Sequence, residues 1–170
     1  MKKFKNKKIK NKIISGILAV VCIVGIGIVI YSKEEPRAVV YDNAPLQQKR
    51  ILVGSTTYMV SVADTVERRE QGLSGTKKLE PQTGMLFIFD TPGKYGFWMK
   101  DMRYAIDIIW VNVSSDGVGS VVYTEQNVQP ETYPKTFTNV NIANAVIEVT
   151  AGEILKQNIK VGDIVYLGKK

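Results

Sequence analysis

Residues 13–30 read IISGILAVVCIVGIGIVI, a run without a charged side chain and with Tyr31 at its far edge. Wound as a helix at about 1.5 Å per residue, the run covers roughly 27 Å, close to the hydrocarbon thickness of a bilayer. A helix packed on a soluble core would interleave polar residues every third or fourth position, and this run does not. Seven lysines (Lys2, Lys3, Lys5, Lys7, Lys8, Lys10 and Lys12) precede it, with no acid among them. By the positive-inside rule that end stays in the cytoplasm and residues 32–170 lie outside. The expected layout is a basic cytoplasmic tail at 1–12, a transmembrane signal anchor at 13–31, a polar stalk at 32–50 and an extracytoplasmic domain at 51–170. The stretch YSKEEPRA after the run is a poor site for signal-peptide cleavage. Cys22 sits mid-run behind Val20 and Val21, where lipoprotein processing wants small residues. The anchor is therefore read as uncleaved, with Cys22 a small apolar member of it.

The net charge of +7 belongs to the tail. Without those seven lysines, 16 Lys and Arg face 16 Asp and Glu, so the rest of the chain is formally neutral. A basic chain can signal nucleic acid, but here the basic patch is a topology signal, and no nucleic-acid partner is expected. There is no histidine, which excludes histidine bases, serine–histidine triads and histidine metal sites. The single cysteine in the anchor leaves the outer domain without thiol catalysis, zinc–thiolate sites or an internal disulfide. No cofactor is expected.

From Ile51 the pattern is mostly β. ILV, the turn GSTT and YMVSVA suggest a hairpin, with Tyr58, Val60 and Val62 on one face. VERREQ reads as a short helix capped by Asp64, with Glu67 at the capping-box position and Gly72 as its stop. MLFIF at 85–89 is apolar on both faces and reads as a central strand, and YGFWMK at 95–100 as a returning one. IDIIWVNV and VGSVVYT flank the turn SSDG as a second hairpin. A long polar loop spans 125–138, and NAVIEV is a further strand. Thr150 and Glu153 have capping-box spacing for a second short helix that Asn158 ends, and IVYL is the last strand. Short strands at about ten-residue spacing predict a mainly β domain. Its expected form is a compact antiparallel sandwich or partly closed barrel with two short helices, preceded by one transmembrane helix.

Two acids interrupt apolar strands: Asp107 in AIDIIWV and Glu148 in AVIEV. A buried carboxylate needs a cation or several donors, and Arg68, Lys100 and Arg103 are the nearby cations. The bland reading is a buried ion pair tying the first helix to the sheet. The sharper one is a pair of catalytic carboxylates sharing a pocket, as in glycoside hydrolysis. Within FWMKDM, Trp98 and Lys100 point one way and Phe97 and Met99 the other, which makes Trp98 and Lys100 a candidate pocket wall beside Arg68 and Asp107. Met99 and Met102 are soft-metal candidates with no histidine or cysteine in support.

The pieces RREQGLSG, Leu79 through GMLFIF, FWMK, AIDIIW, VIEV, AGE and IKVGD follow one another as in the bacterial and archaeal family called domain of unknown function 192, which this chain resembles from about Tyr58 to Leu167. The resemblance implies a compact, mainly β domain, often exported or membrane-anchored, and no particular reaction. It carries family positions onto Arg68, Gly72, Leu73, Gly84, Met85, Phe87, Phe97, Trp98, Met99, Lys100, Asp107, Glu148, Gly152, Gly162 and Asp163. The family usually has Pro-Leu where Ala105 and Ile106 stand, and a small polar residue at Met102, which weakens a thioether metal site. The expected function is a membrane-anchored module binding a cell-envelope glycan, peptide or protein. The alternatives are a carboxylate-dependent hydrolase acting on envelope glycans and a purely structural or assembly domain.

Overall fold

The computed structural model describes residues 45–168. The basic tail, the anchor with Cys22 and the stalk as far as residue 44 lie outside the described residues. Among the described residues no helix is long and apolar enough to cross a membrane.

Strand β1 (Gln48–Val53) turns through Gly54 and Ser55 into β2 (Thr56–Ala63). Gly54 holds φ at 58°, a left-handed conformation that a two-residue hairpin turn requires. The last three residues of the expected stalk are thus already strand. Helix α1 (Val66–Gln71) follows. Its cap is Thr65, whose hydroxyl accepts the Arg68 amide at 3.2 Å, in place of the expected Asp64. Asp64 instead pairs with the Arg68 guanidinium at 3.1 Å. Gly72 ends the helix at φ 50°.

The chain then runs through β3 (Thr83–Gly93), the two-residue β4 (Gly96–Phe97), β5 (Ile106–Val113) and β6 (Val118–Val128). After β7 (Phe137–Thr138) come β8 (Ala143–Thr150), helix α2 (Glu153–Lys156) and β9 (Ile164–Tyr166). Seven strands close into a barrel in the order β1-β2-β3-β8-β5-β6-β9, and β4 pairs with β7 as a separate ladder. Closure is made by β1 on β9, with Leu52 opposite Tyr166 and Val53 opposite Val165. The sandwich alternative is therefore set aside, and the barrel is closed where a partly closed one was expected. One pair departs from the antiparallel pattern. β2 and β3 run parallel, because residues 64–82, including α1, carry the chain back along the barrel wall.

Two apolar layers result. Val53, Tyr58, Val60, Leu86, Ile109 and Ile147 fill the barrel interior. Phe87, Met99, Ile108, Trp110 and Val146 form a second cluster on the outer wall. Strands β3, β5 and β8 are buried on both faces, which is why MLFIF and IDIIW show no polar alternation. Helix α2 plugs one end of the barrel, with Ile154 in the interior cluster. Its N-cap is Gly152 at φ 90°, which has no side chain to cap with, so the Thr150–Glu153 capping box does not form. The Glu153 carboxylate turns inward and accepts the Tyr58 hydroxyl at 3.1 Å and Gln157 Nε2 at 3.3 Å.

Candidate functional site

The strand expected over YGFWMK stops at Phe97, and the chain turns at Lys100 and Asp101, where φ is 56°. This segment is fastened at both ends. The Tyr95 amide donates to Asn139 Oδ1 at 3.0 Å, and Trp110 Nε1 donates to the Tyr95 carbonyl at 3.0 Å. Ser74 Oγ donates to the Lys100 carbonyl at 2.8 Å, and the Gly75 amide to that of Asp101 at 3.0 Å. Phe97 wedges beneath, edge-on to Phe87 and Trp110 with ring centroids 4.9 and 5.9 Å apart. Alternation in burial survives the loss of strand structure. Met99 is buried, whereas Trp98 is 52% exposed and Lys100 lies in solvent.

A cleft of about 230 Å³ opens on the outer wall between α1, β3 and this segment. Its walls include Leu73, Phe87, Phe97, Trp98 and Met102. At one side Phe89 stacks on Tyr95 at 3.5 Å, and the Arg69 guanidinium sits 5.1 Å from the Phe89 ring centre. Arg69 also donates to the carbonyls of Asp64 and Ile88, both at 2.8 Å, so its position is fixed by backbone. The volume falls short of the 300 Å³ or more that drug-sized ligands occupy. It suits one functional group on a short stem.

Of the polar residues lining this cleft, which include Arg69 and Glu70, Glu148 is the buried one. It points outward from β8, flanked on the neighbouring strands by Met85 and Ile108, and is 5% exposed. Among the described residues its carboxyl accepts no hydrogen bond and meets no cation. Burial pushes it from the ordinary value of 4.5 up to about 8, which leaves it mostly protonated at neutral pH. Tyr104 faces the same carboxyl; burial and the neighbouring Glu148 both push its phenol up, against a hydrogen bond to Thr76 at 2.7 Å.

Asp107 lies elsewhere. Opposite Val149 on β8, it faces the barrel interior, where Oδ1 accepts the Asn127 amide at 2.7 Å and Oδ2 the Ile154 amide at 2.8 Å. Its hydrogen-bond partners are these backbone amides, not Lys100 or Arg68. Asp107 and Glu148 therefore occupy opposite faces of the wall, and the fold does not bring the two candidate carboxylates into one cleft.

Of the expected ligand-binding residues, Trp98 lines the cleft, whereas Arg68, Lys100 and Asp107 do not. The neighbouring arginine, Arg69, does. Met99 is packed in the outer core, and Met102 lines the cleft, so the two thioethers do not present a joint open site. Among the described residues no group of three or more Asp, Glu, His or Cys could hold a metal ion. Tyr95, Phe89 and Arg69 were not singled out by the sequence. A signal existed in the alternation of rings along FIF and YGF, but their meeting depends on the β3–β4 turn.

The fold and site together define a small closed β-barrel carrying an aromatic cleft with a buried acid on its outer wall. The chain belongs to the family domain of unknown function 192, described as Uncharacterized ACR, whose model matches residues 49–167. No curated protein matches it. Among solved structures it is similar to a protein of unknown function from Novosphingobium aromaticivorans, at 25% identity and a TM-score of 0.64, covering 77% of this chain and 98% of that one. It is also similar to a protein described as "a putative transcription regulator" from Sinorhizobium meliloti, at 24% identity and a TM-score of 0.63, covering 71% and 94%. These likenesses establish the barrel fold.

Proposed function

We propose that this chain is a membrane-anchored, extracytoplasmic binding module whose ligand enters the cleft beside Trp98. Anchoring rests on the uncharged run at 13–30 and the seven lysines before it. The observation that carries the binding reading is the pairing of a half-exposed tryptophan at the mouth with a carboxyl inside that is 5% exposed and has no partner among the described residues. A carboxyl in an apolar niche costs stability unless something pairs with it. That cost is tolerable where a ligand supplies the missing partner, and perturbed acids in clefts mark functional sites for this reason. The ligand comes from the cell envelope, as a glycan, a peptide or a protein.

The test uses the full chain in detergent micelles. Envelope glycan fragments and short peptides are screened by thermal shift, where a ligand of the native state raises Tm by mass action. A shift lost in Trp98→Ala supports the reading, and a panel without any shift overturns it in favour of a structural or assembly domain. Anchoring is tested separately: the chain should fractionate with membranes, and its β domain should be cut by protease added outside spheroplasts.

A further inference from the structure

We propose, resting on the binding reading above, that the cleft receives a primary ammonium group on a short alkyl stem and holds it against the Glu148 carboxylate. Three features of the site converge on that chemistry. The first is the acid itself, which has no donor among the described residues and stands between the apolar side chains of Met85 and Ile108. An ammonium brings three donors and the complementary charge, so it satisfies the carboxylate in one contact. The second is the wall. Phe87, Phe97 and Trp98 offer ring surfaces that attract cations, while their bodies accept methylenes. The third is size, since about 230 Å³ fits a stem of a few carbons and not a larger body.

Other ligand classes fit less well. An anion would face Glu148 across an apolar gap, and Arg69, the cation on the same cleft, is already held over Phe89 and on two backbone carbonyls. A neutral carbonyl could accept from the protonated acid, but it would leave the rings with no charge to engage. The charged and titratable groups around Glu148 are few. Arg69 and Glu70 come from α1, Tyr95 and Tyr104 from the segment that follows β3, while the strand neighbours Met85 and Ile108 are uncharged.

Pairing with an ammonium requires the carboxylate, whereas burial keeps the empty cleft's acid protonated up to about 8. Binding below that pH therefore expels one proton from Glu148. Affinity should rise about tenfold per pH unit between roughly pH 6 and 8, then level off until the amine itself deprotonates near 10. A cation-binding site with a permanently ionised acid would show no such slope.

The probes are n-butylammonium, 1-butanol and butyrate, titrated into the full chain in detergent micelles by calorimetry at pH 6, 7 and 8. Two further arms, Nα-acetyl-lysine amide and its norleucine counterpart, separate a peptide lysine from a free amine as the source. Butylammonium is expected to bind with that slope and to release one proton, read in buffers of different ionisation enthalpy. Glu148→Gln, which keeps the shape of the protonated acid, should lose the slope and weaken binding at pH 8 at least tenfold. The proton release is measured on the unaltered chain and so holds even if a variant misfolds. Butanol or butyrate binding in place of butylammonium, with loss in Trp98→Ala, overturns the ammonium assignment and leaves the binding reading standing. Butylammonium binding without a pH slope or proton release also overturns it, and failure of every probe counts against both.

Discussion

The Asp107 carboxylate accepts the Ile154 amide at 2.8 Å, so a residue of strand β5 caps helix α2 across the end of the barrel. Its other oxygen takes the Asn127 amide, which ties the end of β6 to the same point. A single buried side chain thus joins three elements. It does so with backbone donors, so a carboxyl that is 1% exposed has both oxygens hydrogen-bonded without an arginine or lysine.

Replacing that side chain should be costly and should leave the cleft alone. Asp107→Ala strands the buried Ile154 amide and removes the partner of the Asn127 amide, and a loss of about 1–3 kcal/mol is expected in urea unfolding. Binding of butylammonium by the folded fraction should be unchanged, because Asp107 faces the interior. A selective loss of binding would place Asp107 in the ligand's path.

Glu148 gives stability a pH dependence of fixed sign. Its carboxyl titrates near 8 in the folded chain against 4.5 ordinarily, so the folded state keeps a proton that the unfolded state sheds. That contribution is fully present below pH 4.5 and is lost as pH rises to 8, at up to roughly 1.4 kcal/mol per unit. Glu148→Gln has no such loss. Its Tm relative to the parent should climb between pH 5 and 8 and then stay level, whereas a constant difference would mean that the acid is ionised throughout.

Trp98 and Phe87 should separate binding from folding. Trp98 is half exposed, so Trp98→Ala should move stability by less than about 1 kcal/mol while weakening the cleft's ligand. Phe87 is 1% exposed and meets Phe97 edge-on. Phe87→Ala should cost about 3–5 kcal/mol, seen as a lower urea midpoint.

Gly84 stands opposite Val149, and its backbone runs close to that of Glu148 on β8. A Cβ there would run into the Glu148 carbonyl oxygen, a backbone atom that cannot swing aside. Gly84→Ala should therefore cost about 1–3 kcal/mol and shift Glu148 as well. Amide exchange along β8 should speed up while β1 and β2 stay protected.

Much of this was legible in the sequence because it is local. IDIIWVNV is strand from its first residue to its last, Gly72 stops α1 as expected, and Asn158 takes the positive φ expected after α2. What escaped is non-local. The parallel β2–β3 pair needs a crossover, and α1 with its loops proved long enough even without a long helix. On a six-residue helix adjacent positions differ by about 100°, and the sequence could not say that Arg69, and not Arg68, turns to the cleft. Asp107 misled because its partners are amides of residues 127 and 154, which no search for complementary side chains would find. Glu148 and Asp107 look alike in sequence; the pleat assigns them to opposite faces through the register of β5 on β8.

Closure by β1 on β9 also sets a timetable for assembly. The three residues of β9 pair with β1 on one side and β6 on the other, bridging strands that begin at Gln48 and Val118. Until Ile164–Tyr166 arrive, both of those strands are raw edges able to recruit any passing strand. A ribosome must therefore deliver nearly all of the domain before its wall can be sealed, and most of the waiting is done by a sheet with two open borders. Shortening the chain by that last short strand would remove little mass, yet it would turn a self-contained cylinder into a template for aggregation.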